Sequence, residues 1–505
     1  MTVSSANRSP AATVLAETGI AGLDQVLGGG LTRQRLYLVE GLPGSGKTTL
    51  ALQFLLEGVR RGERVLYFTL SETEDELRTV ADSHGLSLEG VSIRELIPTS
   101  EALEPDQQNT VFHPSEVELG ETVRELLAET DRVRPDRVVI DSLSELRLLA
   151  GSSLRFRRQI LAFKHLFNER GCTVLMLDDR TSSDHDLQIQ SIAHGVVLLE
   201  QLAPEYGAER RRLRVIKYRG MAFRGGNHDF SIRRGGLNVF PRVVAAEHRR
   251  EYVPTRLASG LKSLDALLGG GLETGSSSLI SGAPGSGKSS LAAQFASAAA
   301  ERGEHSAMFI FDESLNTLLS RSDGLGIPLR RHIERGFVSV QPVDPAELSP
   351  GEFAHRVREA AEVAGVSMIV IDSLNGYLNA MPDERFLTIQ LHELLSYLGH
   401  LGVATLLVGA HAGLVGGAMN SPGDATYLAD AVILLRYFEA QGEVRQAISI
   451  VKKRGGEHER TIREFRLLSG RIEIGKPLRG MRGVLTGVPT IEGSAPDVVP
   501  GRDGR

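Results

Sequence analysis

Two segments, GLPGSGKTTL at 41–50 and GAPGSGKSSL at 282–291, carry the residues from which a phosphate-binding loop is made. Glycines let successive backbone N–H groups curl around phosphate oxygens, a lysine adds a positive charge, and the next hydroxyl reaches a magnesium ion. In the first copy these are Gly44, Ser45, Gly46, Lys47, Thr48 and Thr49. In the second they are Gly285, Ser286, Gly287, Lys288, Ser289 and Ser290. Each loop follows an apolar, strand-like run and leads into a helical one, the context such a loop needs to aim its amides at an anion. The reading is two Mg-nucleotide sites per chain, with ATP and Mg²⁺ as the expected ligands.

Other residues complete that chemistry. Asp141 and Asp372 end apolar runs downstream of their loops, where a carboxylate reaches the metal shell alongside Thr48 and Ser289. Hydrolysis or phosphoryl transfer also wants a carboxylate that orients or deprotonates the attacking oxygen. The run after each loop helix offers one, with Glu72 in FTLSET and Asp312 and Glu313 in FIFDES. A solvated strand end or a helix cap is the competing reading for these acids. Lys217 with Arg219, and Lys452 with Arg454, alternate along predicted strands and so present two cations to one face. That suits a partner's phosphates, or simply the solubility of an edge strand.

The elements that must position these groups are written twice. TGIAGLDQVLGGGL before the first loop returns as SGLKSLDALLGGGL before the second, and Lys47 and Lys288 are 241 residues apart (288 − 47). VVIDSLSEL at 138–146 returns as IVIDSLNGY at 369–377, and IKYRG at 216–220 as VKKRG at 451–455. The copies are expected at 16–245 and 252–475, joined by a linker at 246–251. A disordered stretch is expected at 1–15 and a flexible Gly/Pro-rich tail at 476–505. Within each copy short apolar runs (RLYLVEG, RVLYFTL, RVVIDSL, TVLMLDD, GVVLLEQ) alternate with helical periodicity such as LALQFLLEGVRRG. This predicts an α/β fold, two tandem P-loop domains, each a mostly parallel sheet flanked by helices with the ligand at the carboxyl ends of the strands.

Composition narrows the field. At 505 residues the chain exceeds single-domain size, and 41% hydrophobic with 24% charged residues is ordinary for a globular protein. A formal charge of −6 gives no bulk attraction to nucleic acid, and the lone Cys172 excludes intramolecular disulfides and cysteine-rich zinc sites. No apolar stretch approaches a bilayer span, so the expected location is the cytoplasm.

With tandem loops, the GLDQVLGGGL lead, acidic strand ends and the KYRG and KKRG segments in hand, residues 16–475 resemble the KaiC family of RecA-like ATPases. The resemblance implies a homohexamer of two stacked rings with nucleotide between neighbouring protomers. Lys217, Arg219, Lys452, Arg454, His458 and Arg460 would then reach the adjacent subunit's nucleotide. It implies slow hydrolysis in the first ring and, in the second, autophosphorylation with Asp312 as base. Aligning LADAVILLRY places Thr426 and Tyr427 at the two acceptor positions, where the family's clock members carry Ser then Thr. Ser71 replaces the first acid of the family's Glu-Glu pair, leaving Glu72; a serine is a poor base at neutral pH. The expected role is a timing or signalling switch, with a KaiB-like or signalling protein as the kind of partner the family suggests. Two alternatives stand beside it: a nucleotide-gated scaffold with little phosphotransfer, and a DNA motor, disfavoured by the acidic balance and the lack of a basic, aromatic strand-binding stretch.

Overall fold

The computed structural model describes residues 14–96, 114–180, 187–204, 206–379, 386–410, 425–486 and 490–491. It divides into two compact units, 1–242 and 243–505. Of the stretches expected to be disordered at 1–15 and flexible at 476–505, residues 1–13, 487–489 and 492–505 lie outside the described residues, while Leu15 pairs with Thr32 in a short antiparallel ladder.

The first unit is a nine-stranded sheet: β1 (Leu36–Gly41), β2 (Val65–Thr69), β3 (Ser92–Glu95), β4 (Arg137–Asp141), β5 (Thr173–Asp178), β6 (Gly195–Leu202), β7 (Arg210–Tyr218), β8 (His228–Arg233) and β9 (Gly236–Phe240). Their order is β3-β2-β4-β5-β1-β6-β7-β8-β9. From β3 to β6 all neighbours are parallel; β7, β8 and β9 follow as antiparallel strands. The second unit repeats this with β10 (Ser277–Gly282), β11 (Ser306–Ile310), β12 (Val338–Pro342), β13 (Met368–Asp372), β14 (Ala404–Ala410), β15 (Ala431–Ala440), β16 (Glu443–Lys453), β17 (Arg463–Leu468) and β18 (Arg471–Pro477), in the order β12-β11-β13-β14-β10-β15-β16-β17-β18. The expected α/β architecture is therefore present twice, strand for strand.

The apolar runs are continuous because the parallel strands are covered on both faces. Along β1, Tyr37 and Val39 enter the core that holds the loop helix Lys47–Arg60, while Leu36 and Leu38 enter the core against the helix Ser153–Glu169. The period of two is that of a pleated strand. The repeated lead is a brace: Asp24 accepts from the N–H and hydroxyl of Thr18, both at 2.8 Å, and Asp265 does the same for Ser259 at 2.7 and 2.8 Å.

Two connecting regions are packed. Val243 and Ala245 are buried in the core of the second unit, and the Ala245 carbonyl lies 2.9 Å from His400 Nδ1. Where a flexible tail was expected from residue 476, the chain instead pairs Met481–Arg482 with Thr490–Ile491 and buries Val484 against Phe438. Arg436 Nε holds the Leu485 carbonyl at 2.8 Å. Gly and Pro interrupt periodicity there without preventing packing.

Candidate functional site: two nucleotide loops with different neighbours

Each loop joins a central strand to a helix, β1 to Lys47–Arg60 and β10 to Lys288–Glu301. Gly46 and Gly287 precede the first helical residue with φ of 99° and 93°, a left-handed conformation that disfavours any side chain. Lys47 Nζ donates to the carbonyls of Gly41 and Leu42 at 2.8 and 3.1 Å, and Lys288 Nζ to that of Ala283 at 2.8 Å. The hydroxyls of Ser45 and Ser286 are buried and unpaired in both loops, and Thr49 and Ser290 are buried behind them in the helices. At the first loop a cavity of about 490 Å³ brings together Gly44, Gly46, Lys47, Thr48, Thr49, Ser71, Glu72 and Asp141.

The surroundings then diverge. In the first unit Asp141 Oδ2 accepts from Thr48 Oγ1 at 3.0 Å and from Tyr67 OH at 2.5 Å, and Lys47 is ion-paired with Asp179 at 2.8 Å. Glu72 sits between β2 and the helix Glu74–Ser83. The Thr69 hydroxyl accepts from its N–H at 3.0 Å and donates to its carbonyl at 2.6 Å, while Thr73 and Glu76 close a capping box. Its carboxylate makes no ion pair among the described residues, and Oε2 is buried without a hydrogen bond. Burial, then the nearby Asp141, Glu76 and Asp179 carboxylates, push its pKa up from the ordinary 4.5.

In the second unit the acids are engaged or orphaned differently. Glu313 is clamped by Arg321 through two bonds, Nη1 to Oε2 at 2.5 Å and Nη2 to Oε1 at 2.7 Å. Arg321 lies on the helix Leu315–Gly324, 241 residues after Val80, which lines the Glu72 cavity. Asp312 is exposed and accepts a hydrogen bond from Ser373 Oγ. Asp372 Oδ2 is buried with no hydrogen-bond partner. Burial is the main reason its pKa rises to about 6; the Ser289 hydroxyl opposes this and Glu313 reinforces it. Lys288 has no acidic ion-pair partner among the described residues, and burial lowers its pKa.

Magnesium fits this set. Thr48 already lies at hydrogen-bond distance from Asp141, and Asp372 carries a buried oxygen that lacks a partner beside Ser289. A divalent cation held by these residues would neutralise the acids and offset the charge of a bound phosphate chain.

The remaining expected residues lie elsewhere. Gly282 pairs with Leu435 at the loop end of β10, whereas Ser278 pairs with Ala431 at its start. Thr426 and Tyr427, in a short turn just before β15, are therefore at the far end of the sheet from their own loop. Lys452 Nζ donates to the Thr426 carbonyl at 2.8 Å and Arg454 Nη2 to that of Tyr427 at 3.3 Å. The first unit repeats the arrangement, with Lys217 on the Gln190 carbonyl at 2.5 Å and Arg219 on that of Ser191 at 2.6 Å. His458 and Arg460 lie in the loop between β16 and β17.

The sequence reading did not single out Tyr67, Asp179, Arg321 or Ser373. Placing the two copies side by side exposes one of them: valine at 80 against arginine at 321.

Two mostly parallel sheets, each with a Gly-rich loop ahead of a helix and an acid ending the strand two places away, define a tandem RecA-like P-loop ATPase. The profile described as the KaiC ATPase matches residues 16–244 and again 257–479, so the chain belongs to the KaiC family. It is 27% identical over 483 residues to the circadian clock protein KaiC3 of Synechocystis sp., covering 94% of each chain. With the circadian clock oscillator protein KaiC of Parathermosynechococcus lividus it shares 26% identity over 485 residues, 94% of this chain and 88% of that one. With that of Synechococcus elongatus it shares 25% over 496 residues, 97% and 94%. Among the described residues no helix is long and apolar enough to cross a membrane.

Proposed function

We propose that the first domain hydrolyses ATP with Glu72 as the base, and that the second transfers the γ-phosphoryl group to Thr426 of a neighbouring copy within a homohexamer. The observation that carries the transfer is the position of Thr426. From Gly282 to Ser278 is five strand residues, so acceptor and loop of one chain are separated by roughly 15 Å or more. Transfer needs reacting atoms about 3 Å apart. A second chain must bring the acceptor to the loop.

In that arrangement the backbone amides of Gly285 to Ser289 and Lys288 would hold the phosphates, and Asp372 with Ser289 would hold the magnesium. Lys452 and Arg454, with His458 and Arg460, approach from the chain that presents Thr426. Lys217 and Arg219 play the same part in the first ring. Asp312 takes the Thr426 proton, the Thr426 oxygen bonds to the γ-phosphorus, and the bond to the β–γ bridging oxygen breaks to leave ADP. In the first domain Glu72 takes a proton from water, whose oxygen bonds to the γ-phosphorus as the bond to the β–γ bridging oxygen breaks, leaving ADP and inorganic phosphate. Coupling of the two rates suits a timing or signalling switch, read by a KaiB-like or signalling protein, in keeping with the clock names of the relatives.

A second reading draws on one observation. The Arg321 clamp on Glu313 withdraws a carboxylate from the second site, which suits a nucleotide-gated scaffold with little phosphotransfer. Mixing decides between them. A Lys288→Ala chain, unable to use its second loop, is combined with a Thr426→Ala chain that can, in ³²P-labelled ATP. Label on the Lys288→Ala chain supports transfer between copies, and Tyr427→Phe should still be labelled. No label in the mixture or in the parent chain supports the scaffold.

A further inference from the structure

At the amino ends of β1, β5 and β6, away from the first loop, lies a cavity of about 380 Å³ whose lining includes Arg35, Leu36, Leu161, Lys164, Phe167 and His194. Lys164 Nζ donates to the carbonyl of Ile192 at 2.8 Å, beside the bonds of Lys217 and Arg219 to Gln190 and Ser191. Three cations thus converge on the last carbonyls of the helix Leu187–Ile192. A helix C-terminus carries about half a negative charge. Three full charges with Arg35 alongside far exceed it. Among the described residues no carboxylate is ion-paired with Arg35, Lys164, Lys217 or Arg219. Arg35 instead donates to the Gln34 carbonyl and the Asn168 side chain. The excess is felt locally: burial first, then the neighbouring cations, lower the pKa of Lys164, Lys217 and His194.

The second domain shows the same scaffold with the charge removed. Tyr37 pairs with Gly195 and Ser278 with Ala431, so His194 and Asp430, each one residue earlier, are equivalent. Asp430 accepts from the Ser277 N–H at 3.0 Å and pairs with Arg454 at 3.3 Å. Arg35, preceding β1, answers to Ser276, preceding β10. Lys164 answers to Leu395, each seven residues before a left-handed turn glycine, Gly171 or Gly402. The cavity floor therefore exchanges arginine, lysine and histidine for serine, leucine and aspartate.

We infer that this cavity binds a small free phosphate-bearing anion, distinct from the nucleotide at the loop, with Arg35 and Lys164, both in its lining, as the principal ligands. The volume suits a ligand of a few phosphate groups. The anion supplies the negative charge that Asp430 supplies in the second domain. This holds whether or not copies assemble into rings.

The test is calorimetric titration of inorganic pyrophosphate into the full chain with both loops saturated by Mg-ADP. One equivalent per chain is expected, weakened roughly tenfold or more by Arg35→Ser and by Lys164→Leu, each removing a charge-assisted contact. His194→Asp, which installs the second domain's acid, should weaken it as much. Arg35 is exposed, so its variant keeps the test valid if the Lys164 change disturbs folding. No binding to the ADP-saturated chain, unchanged affinity in Arg35→Ser and His194→Asp, or loss of binding in Lys47→Ala would each overturn the assignment. The last would place the anion at the loop.

Discussion

The two loops share a sheet order and an aspartate ending the strand two places away, yet the acids around them have different neighbours. Glu72 makes no ion pair among the described residues and its pKa is raised by burial and neighbouring acids; Glu313 is locked by Arg321. Asp141 receives two hydrogen bonds on one oxygen; Asp372 has a buried oxygen with none. Lys47 is parked on Asp179, whereas Lys288 faces no such acid among the described residues. The loop specifies that a nucleotide binds, and the side chains arriving from adjacent strands and helices set what happens to it. In sequence the Asp312–Glu313 pair looked the better equipped. In the fold Glu313 is held by Arg321 and Asp312 accepts from Ser373, whereas no ion pair among the described residues holds Glu72.

Predictions that stress this contrast follow from the largest effect downward. Glu72→Gln, in a Lys288→Ala background that silences the second loop, should lower steady-state ATP turnover by about 100-fold or more, the ordinary worth of a general base. The parent's turnover should fall as pH drops through a midpoint above the ordinary glutamate value, because the base must be deprotonated. That dependence should vanish in Glu72→Gln. Next, Arg321→Val in a Lys47→Ala background should raise second-loop hydrolysis by about tenfold, since a carboxylate released from a bidentate arginine is free to orient the attacking water.

Asp372→Asn should stabilise the nucleotide-free chain by on the order of 2 kcal/mol at neutral pH, seen in urea unfolding. The sign follows from linkage. The folded pKa, about 6, lies above the ordinary 3.8. Between those values the folded state holds the extra proton, so stability falls as pH rises through that window. The variant should lose this slope and also its stabilisation by Mg-ATP. Asp141→Asn should gain less, because Tyr67 and Thr48 lose a charged acceptor. The smallest effect is expected for Asp179→Ala, a change of severalfold in first-loop ATP affinity, the pair being partly solvated.

Much of this was legible in the sequence. The five apolar runs singled out in the first copy became β1, β2, β4, β5 and β6 because strands covered on both faces must be apolar throughout. The loops were legible because their chemistry is contiguous. Tyr67, Asp179, Arg321 and Ser373 were not: each reaches its acid or lysine across the sheet or along a following helix, and no local spacing marks a hydroxyl or guanidinium for that role. The repeated GLDQVLGGGL lead, the strongest repeat signal, serves as a turn brace through Asp24 and Thr18. Residues 476–486 lacked periodicity but pack through Val484 and Arg436, contacts made with a strand nearly fifty residues earlier.

The most direct test exchanges the neighbours and leaves both loops untouched. Full-length Val80→Arg with Arg321→Val should move hydrolysis from the first loop to the second, read as ATP turnover after adding Lys47→Ala or Lys288→Ala in turn. The account predicts that the double exchange makes turnover depend on Lys288 where the parent's depends on Lys47. Turnover that still depends on Lys47 after the exchange would contradict it.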